Sequence, residues 1–503
     1  MTSSLKDEQK ATPIAPGSTG GELRRGPRIE EHGMDVIAAS ERKGKPRDLF
    51  WPWSAATVTV LGVSYGGFAL AFGIGWVQAI VATVVSLVLS CLVCGVISIA
   101  GKRGSAPTLV LSRAAFGVTG NRVPAVVSWL LSVGWETISC ALAALATATV
   151  FGRLGWSSGP ITLAVALVVV LILIVGGAVL GYDAVMKIQT WIMYISIVLT
   201  VVYIALTLPK INFAALQHIP SGGIAAVIGA TILLMTGGGL GWVNAAADYS
   251  RYLPRSSSSR GVAIWTTLGL GLPPLVLIIY GVLLAGSNSA LAAKLEADPI
   301  GALAGILPLW YLVPFALVAV LGLVGTALLE IYSSGLSLLS TGVKLKRPTA
   351  AFIDGVIMAV AAAYIIFWAP GNFFTEFEGV IITLGVPISA WAGIMIADIM
   401  LRKRNYDDAS LFNPKGLYGR VRVPTLLTFA VATVVGFGFV TNTAAGWLNW
   451  QGYFMAAVGG KAGLWAGANL GVIMALVLGF VGYVIFQRRA VRIQESKTEV
   501  DAE

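Results

Sequence analysis

Only 12% of the 503 residues are charged, against about 25% in a soluble globular protein. Hydrophobic residues make up 56% of the chain, and the mean hydropathy is +0.82. This composition excludes a soluble enzyme, a disordered protein and a nucleic-acid-binding protein. The net charge of +10 is therefore interpreted as a signal of membrane topology rather than as a surface for an acidic partner.

The chain divides into one long apolar region and two polar ends. Residues 1–50 are rich in charge, glycine and proline, and we expect a cytosolic tail with little fixed structure. Residues 51–486 are predicted to form one transmembrane domain, and 487–503 a cytosolic C-terminal tail. A membrane helix needs about 20 apolar residues. By this criterion twelve spans are predicted near 52–76, 78–100, 124–150, 160–181, 188–209, 222–246, 262–286, 309–340, 351–369, 377–400, 423–441 and 464–486.

The basic residues are distributed very unevenly along the predicted topology. If the N-terminus is cytosolic, 30 of the 34 lysines and arginines fall on the cytosolic side. Only Arg153, Lys210, Lys294 and Lys461 fall on the other. Lysine and arginine favour the cytosolic side of membrane proteins. The sequence therefore predicts a multi-pass protein of the plasma membrane with both termini in the cytosol.

Two carboxyl groups fall in the middle of predicted spans, Glu136 in span 3 and Glu330 in span 8. An ionisable side chain at this depth is costly, so it indicates a functional site by default. The alternative for each residue is a protonated glutamate that is hydrogen-bonded between helices. The polar and aromatic residues beside both glutamates favour a site.

Glycine-rich stretches interrupt spans 1 and 6. Span 1 contains Ser64-Tyr65-Gly66-Gly67, and span 6 contains four glycines between 237 and 241. Each glycine weakens a helix by about 1 kcal/mol relative to alanine. Close helix packing is the alternative explanation. Because the two interruptions open two five-helix halves, they favour a transporter that is built from inverted repeats.

Two tryptophans lie well inside their spans, unlike the tryptophans of an interfacial belt. They are Trp135 beside Glu136, and Trp242 after the glycines of span 6. Ser139 is one turn beyond Trp135 and shares its face. Two indoles on one cavity would hold a planar ring, since offset stacking adds about 0.5–1.5 kcal/mol beyond burial. This pattern favours a heterocycle over a sugar or a simple ion.

Four stretches resemble the nucleobase:cation symporter family of the purine/cytosine permease type: Gly101–Asn121, Ala247–Pro254, Ile331–Leu338, and 386–398 with 402–406. The resemblance covers about 50–486. It implies an all-α integral membrane protein with twelve transmembrane helices in a LeuT-type fold, a 5+5 inverted repeat plus two C-terminal helices. It also implies a substrate site between broken spans 1 and 6 and spans 3 and 8.

The resemblance further implies the residues of the site. Relatives stack the base between two tryptophans whose positions match Trp135 and Trp242. A polar residue of span 3 matches Ser139, and a polar pair of span 8 matches Thr326 and Glu330. The span 1 break lines the site in relatives. The predicted substrate-binding residues are Trp135, Ser139, Trp242, Thr326, Glu330, Ser64, Gly66 and Gly239.

These features predict a secondary active transporter that imports a cytosine- or purine-like base with a coupling cation. Spans 1, 2, 6 and 7 are expected to rock against spans 3, 4, 8 and 9. Glu136 and Glu330 are candidate proton carriers, and Thr326 is the hydroxyl available to sodium, with protons favoured. Because an ionised carboxylate only accepts hydrogen bonds, Glu330 in place of an amide favours a substrate edge rich in N–H groups.

Several alternatives stay open or are excluded by the residues present. A symporter for allantoin, hydantoin, a thiamine precursor or pyridoxine is the main alternative. A membrane enzyme is disfavoured because His32 and His218 are the only histidines. A channel is disfavoured because an aromatic clamp would block conduction. No catalytic residue, metal site, cofactor or nucleic-acid partner is predicted. The expected partners are the substrate, a cation and the bilayer, with a monomer as the simplest unit.

Overall fold

The computed structural model describes residues 33–179, 182–368 and 373–500. Ten helices in these ranges are long and apolar enough to cross a membrane, and a bent pair adds an eleventh. Span 11, with 16 residues, is shorter. This arrangement is consistent with the twelve predicted spans. The spans in order are Phe50–Thr57 with Leu61–Leu70, Trp76–Gly104, Arg122–Arg153, Pro160–Val179, Tyr182–Thr207, Ile224–Gly237 with Gly239–Ala245 and Ala246–Ser250, Ser259–Gly286, Leu312–Ser340, Arg347–Phe367, Phe373–Leu401, Val423–Gly438 and Gly471–Val500.

Short helices fill the connections between spans. Those between spans 2 and 3, between spans 5 and 6 and between spans 7 and 8 are α-helical: Thr108–Leu111, Arg113–Phe116, Phe213–Gln217, Ser289–Ala297 and Pro299–Gly305. The others are single 3-10 turns: Ala39–Glu41, Pro46–Leu49, Leu208–Lys210, Leu309–Tyr311, Gly446–Leu448, Met455–Val458 and Ala466–Ala468.

The spans form two groups. Spans 1, 2, 6 and 7 pack against one another and are called the bundle, while spans 3, 4, 8 and 9 form a second group, called the scaffold. Spans 10, 11 and 12 pack together, and span 10 also touches spans 2, 3 and 6. The two predicted moving parts therefore exist as separate packing units that meet at the breaks of spans 1 and 6.

The break of span 1 lies six residues before the predicted one. The helix ends at Thr57, turns by 70° and resumes at Leu61. Residues 57–60 read Thr-Val-Thr-Val, and four consecutive β-branched side chains disfavour a helix because they restrict χ1. Ser64 to Gly67, where the sequence predicts the break, are helical.

The break of span 6 lies within the predicted glycine run. The α-helix ends at Gly237, and Gly238 has φ −101° and ψ −122°, outside the helical region. The chain continues as a 3-10 turn over Gly239–Ala245 before the last α-helical turn. Consecutive glycines permit this path because they lack a Cβ atom.

One face of the protein collects buried arginines and is called the basic face. Arg103 donates to the carbonyl oxygens of Ile399 and Arg402 at 2.9 Å each, which ties span 2 to span 10. Arg402 pairs with Asp398 at 2.8 Å. Lys210, one of the four basic residues predicted on the other side of the membrane, donates to the Ile306 carbonyl at 2.6 Å on the opposite face. The charge asymmetry of the sequence thus corresponds to two distinct faces.

Residues 33–49, part of the predicted tail, pack onto the basic face and are called the strap. The Ile37 amide donates to Ser105 at 2.8 Å, and the Lys43 amide donates to Tyr252 at the same distance. Arg251 donates to the Gly33 carbonyl at 3.3 Å, and the Ile37 side chain is 1% exposed. An apolar anchor and paired backbone groups explain why this stretch is ordered despite its polar composition. Residues 1–32 lie outside the described residues.

The predicted C-terminal tail continues the helix of span 12. That helix begins at Gly471 rather than 464 and extends to Val500. Gln494 accepts a hydrogen bond from Arg402 at 2.6 Å, and the Lys403 amide donates to Glu495 at 2.7 Å. These contacts hold residues beyond 486 against the end of span 10. Residues 501–503 lie outside the described residues.

Candidate substrate site

A cavity of about 70 Å³ lies where the breaks of spans 1 and 6 face spans 3, 7 and 8. Its wall combines aromatic rings, hydroxyl groups and exposed backbone. The lining residues are Ala56, Thr57, Thr59, Leu61, Gly62, Tyr65, Leu87, Trp135, Ser139, Leu234, Gly237, Gly238, Trp242, Leu270, Pro274, Ile278, Leu323 and Thr326. Unwound backbone at membrane depth is stable only where it is buried or lines such a cavity.

Two tryptophans belong to this wall and are held by other rings. Trp135 is 8% exposed and meets Phe377 edge-to-face, with ring centroids 5.6 Å apart. Trp242 is 7% exposed and meets Trp53 in the same way at 5.8 Å. These contacts fix both indoles before any substrate arrives. The Trp135 Nε1 group is buried and has no hydrogen-bond partner among the described residues, so this wall residue carries an unpaired donor.

Aromatic side chains also lie on both sides of the cavity along the membrane normal. Toward the face opposite the basic one, Tyr65 contacts Phe377 at 5.8 Å, and Phe373 stacks on Phe377 at 5.5 Å. Toward the basic face, Trp53 contacts Tyr249 at 5.0 Å. Packed aromatic rings therefore lie beside the cavity in both directions.

Four of the predicted site residues come together in the cavity wall: Trp135, Ser139, Trp242 and Thr326. The Thr326 hydroxyl lies 3.2 Å from the Ala56 carbonyl oxygen and 3.1 Å from that of Gly322. The break of span 1 removes Ala56 from the helical hydrogen-bond ladder, and Thr326 supplies a donor to its orphaned carbonyl. Thr326 thus joins the span 1 break to span 8.

Ser64 and Gly66 do not line the cavity, contrary to the prediction. The Ser64 hydroxyl donates to the Pro299 carbonyl at 3.1 Å. A Cβ atom at Gly66 would lie 2.2 Å from the backbone nitrogen of Val282. Gly66 is therefore needed for the close approach of spans 1 and 7, which is the packing role that small residues have in membrane helices.

Gly239 also lies outside the wall. Its amide donates to the Ser90 hydroxyl at 3.1 Å, and a Cβ atom there would lie 2.2 Å from the Ser90 carbonyl carbon. Gly239 therefore packs against span 2, while its neighbours Gly237 and Gly238 line the cavity.

Neither mid-membrane glutamate is part of the cavity wall. Glu330 is one turn beyond Thr326, toward the basic face, and is 1% exposed. Glu136 is fully buried. Both Glu136 carboxyl oxygens and Oε2 of Glu330 have no hydrogen-bond partner among the described residues. Glu330, predicted as a substrate-binding residue, therefore lies outside the wall of this cavity, one helical turn from Thr326.

Several wall residues were missed by sequence reasoning, above all Thr57, Thr59, Gly62 and Tyr65. The β-branched run at 57–60 is the signal that could have found them, since it fixes the break that exposes them. The described residues contain no group of three His, Cys, Asp or Glu side chains that could hold a metal ion.

The family model described as "permease for cytosine/purines, uracil, thiamine, allantoin" matches residues 36–467. A putative purine-cytosine permease of Bacillus subtilis, YxlA, is 22% identical over 92% of this chain and 96% of its own length. Mhp1, a nucleobase-cation-symport-1 transporter solved in a closed conformation with bromovinylhydantoin bound, superposes with a TM-score of 0.68. It is 17% identical over 92% of this chain and 95% of its own.

Two further solved structures have the same fold. The inward-facing conformation of Mhp1 gives a TM-score of 0.64 at 18% identity, covering 92% of this chain and 94% of that one. A Na⁺-coupled sialic acid symporter gives 0.56 at 13% identity, covering 89% and 91%. The predicted all-α membrane fold of the LeuT type is confirmed by these superpositions together with the broken first helix of each half.

Proposed function

The chain belongs to the family of permeases for cytosine/purines, uracil, thiamine and allantoin, and on that premise we propose that it imports a planar heterocycle of the nucleobase type by cation-coupled symport. The family resemblance read from the sequence is confirmed, and so is the prediction that the protein is a transporter rather than an enzyme. The observation that carries the proposal is the ring-sized cavity between Trp135 and Trp242 at two helix breaks. Both indoles are already fixed by edge contacts, so a flat ring would bind without a large ordering cost.

The size of the cavity supports a substrate with a single ring. A buried water needs about 10–15 Å³ on the same measure, so a cavity of about 70 Å³ has room for roughly five water-sized groups. Cytosine, uracil and hydantoin are the candidates nearest to this size, whereas a nucleoside is much larger. The bromovinylhydantoin bound to Mhp1 makes hydantoin or allantoin the second candidate.

The polar groups at the wall support a substrate with both donors and acceptors. Ser139, Thr57, Thr59 and Tyr65 bring hydroxyl groups to the wall residues. Thr57 already donates to the Trp53 carbonyl and keeps acceptor capacity, and Thr59 already accepts from the Leu61 amide and keeps its donor. The Trp135 indole contributes one free N–H donor. The sequence favours a substrate edge rich in N–H groups because Glu330 is expected to contact the substrate. Since Glu330 lies outside the wall, this reason no longer applies. We propose instead that a carbonyl group of the substrate ring faces the Trp135 donor.

Protons are the proposed coupling ion. Glu136 and Glu330 are buried with carboxyl oxygens that lack partners, so each must hold a proton or meet a cation during transport. Sodium would need several oxygen ligands near the span 1 break. Thr326 is the hydroxyl available there from span 8, beside Gly322 and Gly325, which offer no side-chain oxygen.

Transport is proposed to proceed by rocking of the bundle against the scaffold, with the basic face in the cytosol of a plasma-membrane protein. The buried arginines of that face and the charge asymmetry of the loops support this orientation. Each half-cycle would separate one set of packed rings, Tyr65 with Phe377 on one side or Trp53 with Trp242 on the other.

The proposal is tested by uptake of radiolabelled cytosine into cells or proteoliposomes, in competition with purines, pyrimidines, hydantoins, allantoin and pyridoxine. Each measurement is made with and without sodium and with a protonophore. We expect a single-ring base or hydantoin to compete best, sodium to have no effect, and the protonophore to abolish accumulation. Uptake that requires sodium and resists the protonophore would refute proton coupling, and failure of every heterocycle to compete would refute the substrate class.

A further inference from the structure

Glu136 belongs to a buried polar cluster that the substrate cavity does not include. It follows Trp135 on span 3, and successive helical residues point about 100° apart, so the carboxyl group faces away from the wall that the indole joins. Its carboxyl group interacts with those of Glu330 on span 8 and Asp354 on span 9. Both of its oxygens lack a hydrogen bond, although the side chain is fully buried.

Asp354 anchors the other end of this cluster. Its Oδ1 accepts a hydrogen bond from Trp129 Nε1 at 2.7 Å, and its Oδ2 accepts one from the Ser334 hydroxyl at 2.8 Å. Ser334 also lies beside Glu136, while its hydroxyl donates to Asp354, so it stands between the two carboxyl groups. Asp354 is two turns into span 9, whose first residue, Arg347, is at the basic face. The cluster therefore runs from mid-membrane toward that face.

In the described part of the chain, the charged groups that act on Glu136, Glu330 and Asp354 are all acidic. Glu330, Asp354 and Cys140 face Glu136, and Asp248 and Tyr249 face Glu330. The nearest guanidinium group with a charge interaction in this set is Arg251, which faces Asp248. Span 4 packs against spans 3, 8 and 9 and contributes no titratable side chain. A buried carboxylate that lacks both a cation and hydrogen-bond donors is too costly to persist, so Glu136 and Glu330 must hold protons. Asp354 differs from them because each of its oxygens accepts a hydrogen bond, so it can be ionised and receive a proton.

We propose that Glu136, Ser334 and Asp354 form the route by which the coupling proton leaves mid-membrane for the basic face. The route lies inside the scaffold, so proton and substrate take separate paths, and substrate leaves between bundle and scaffold. The Ser334 hydroxyl gives its proton to the ionised Asp354 and takes the proton of Glu136, and Glu136 is then reprotonated by Glu330. A serine hydroxyl serves as a link because it accepts one proton while it donates its own. The inference rests on the proposed proton-coupled transport of a heterocycle.

The test separates proton coupling from substrate binding. Wild-type protein and the variants Glu136→Gln and Asp354→Asn are reconstituted in proteoliposomes, and radiolabelled cytosine is followed in two assays, with hydantoin in its place if it competes better. One assay measures accumulation driven by a pH gradient, and the other measures exchange of labelled for unlabelled substrate at equal pH. We expect both variants to lose accumulation by about tenfold or more and to keep exchange within about threefold of wild type.

Further variants address folding and relay geometry. Asp354→Glu keeps a carboxyl group and should recover accumulation, whereas Ser334→Ala should lose it. Glu378→Gln is the matched control, because Glu378 is a half-buried carboxyl group on span 10 that Asn469 contacts at 3.2 Å, away from the cluster. It should match wild type in both assays.

Three results would overturn the route: normal accumulation in both Glu136→Gln and Asp354→Asn, an equal loss of exchange and accumulation, or accumulation by wild type that only sodium drives. In the last case heterocycle transport stands and the proton route falls. Absence of exchange by wild-type protein would instead refute the proposed function, and the route with it.

Discussion

The free N–H group of Trp135 gives the sharpest prediction about substrate recognition. Trp135→Phe keeps an aromatic ring beside Phe377 and removes only the indole donor and one fused ring. A hydrogen bond contributes about 0.5–1.5 kcal/mol, and the smaller ring loses part of a stacking term of about 0.5–1.5 kcal/mol. We therefore expect substrate affinity to fall by about 1–2 kcal/mol, which corresponds to about 5- to 30-fold in KM.

The assay is concentration-dependent uptake of radiolabelled cytosine, with the amount of folded protein measured in parallel. Trp53→Phe is the matched control, because the Trp53 Nε1 group is also buried without a partner but the residue lies outside the cavity wall. Its edge contact with Trp242 is retained by a phenyl ring. A KM for Trp135→Phe within twofold of wild type, or an equal rise in both variants, would refute the assignment of this donor to the substrate.

Two further predictions concern the helix packing and the strap. Gly66→Ala should destabilise the solubilised transporter by about 1–3 kcal/mol more than Gly62→Ala, because the new Cβ meets span 7 backbone at 2.2 Å, whereas at Gly62 it meets a Leu277 side chain at 3.2 Å. Equal shifts in melting temperature would contradict this reasoning. Ile37→Asp should release the strap, since a carboxylate cannot replace a side chain that is 1% exposed. Faster tryptic cleavage after Lys43 would show this, and exposed Ser40→Asp should leave the rate unchanged.

The spans and the faces of the protein could be predicted from sequence because they depend on properties that are summed over many residues. Twenty apolar residues in a row have few alternatives to a membrane helix. The charge asymmetry likewise averages over 34 basic side chains. The strap shows the limit of such sums. Its composition is polar, and a single anchor, Ile37, with a few backbone hydrogen bonds decides that it packs.

The break of span 1 could not be placed from glycine alone, because glycine serves two purposes in a membrane helix. At Gly238 it allows a non-helical backbone, whereas at Gly66 it allows span 7 to approach. Both glycines look the same in sequence, and only the partner helix distinguishes them. The run at 57–60 carried the better signal, because β-branched side chains weaken a helix wherever it lies.

The two glutamates show the same limit at the level of the site. The sequence predicts that Glu136 and Glu330 lie at mid-membrane beside Trp135 and Thr326. The depth of a residue does not tell which way its side chain points. Trp135 joins the cavity wall and Glu136, the next residue, does not. A single helical step thus separates the surface proposed to hold the substrate from the cluster proposed to carry the proton.

The cavity wall and the carboxyl cluster share one rigid helix, span 3. Movement of the bundle against span 3 would expose the cavity to one face. It would leave the carboxyl cluster intact, because that cluster is buried within the scaffold. Proton and substrate would then be coupled without direct contact between them. The protonation state of Glu136 and Glu330 would instead change how well the bundle packs against span 3.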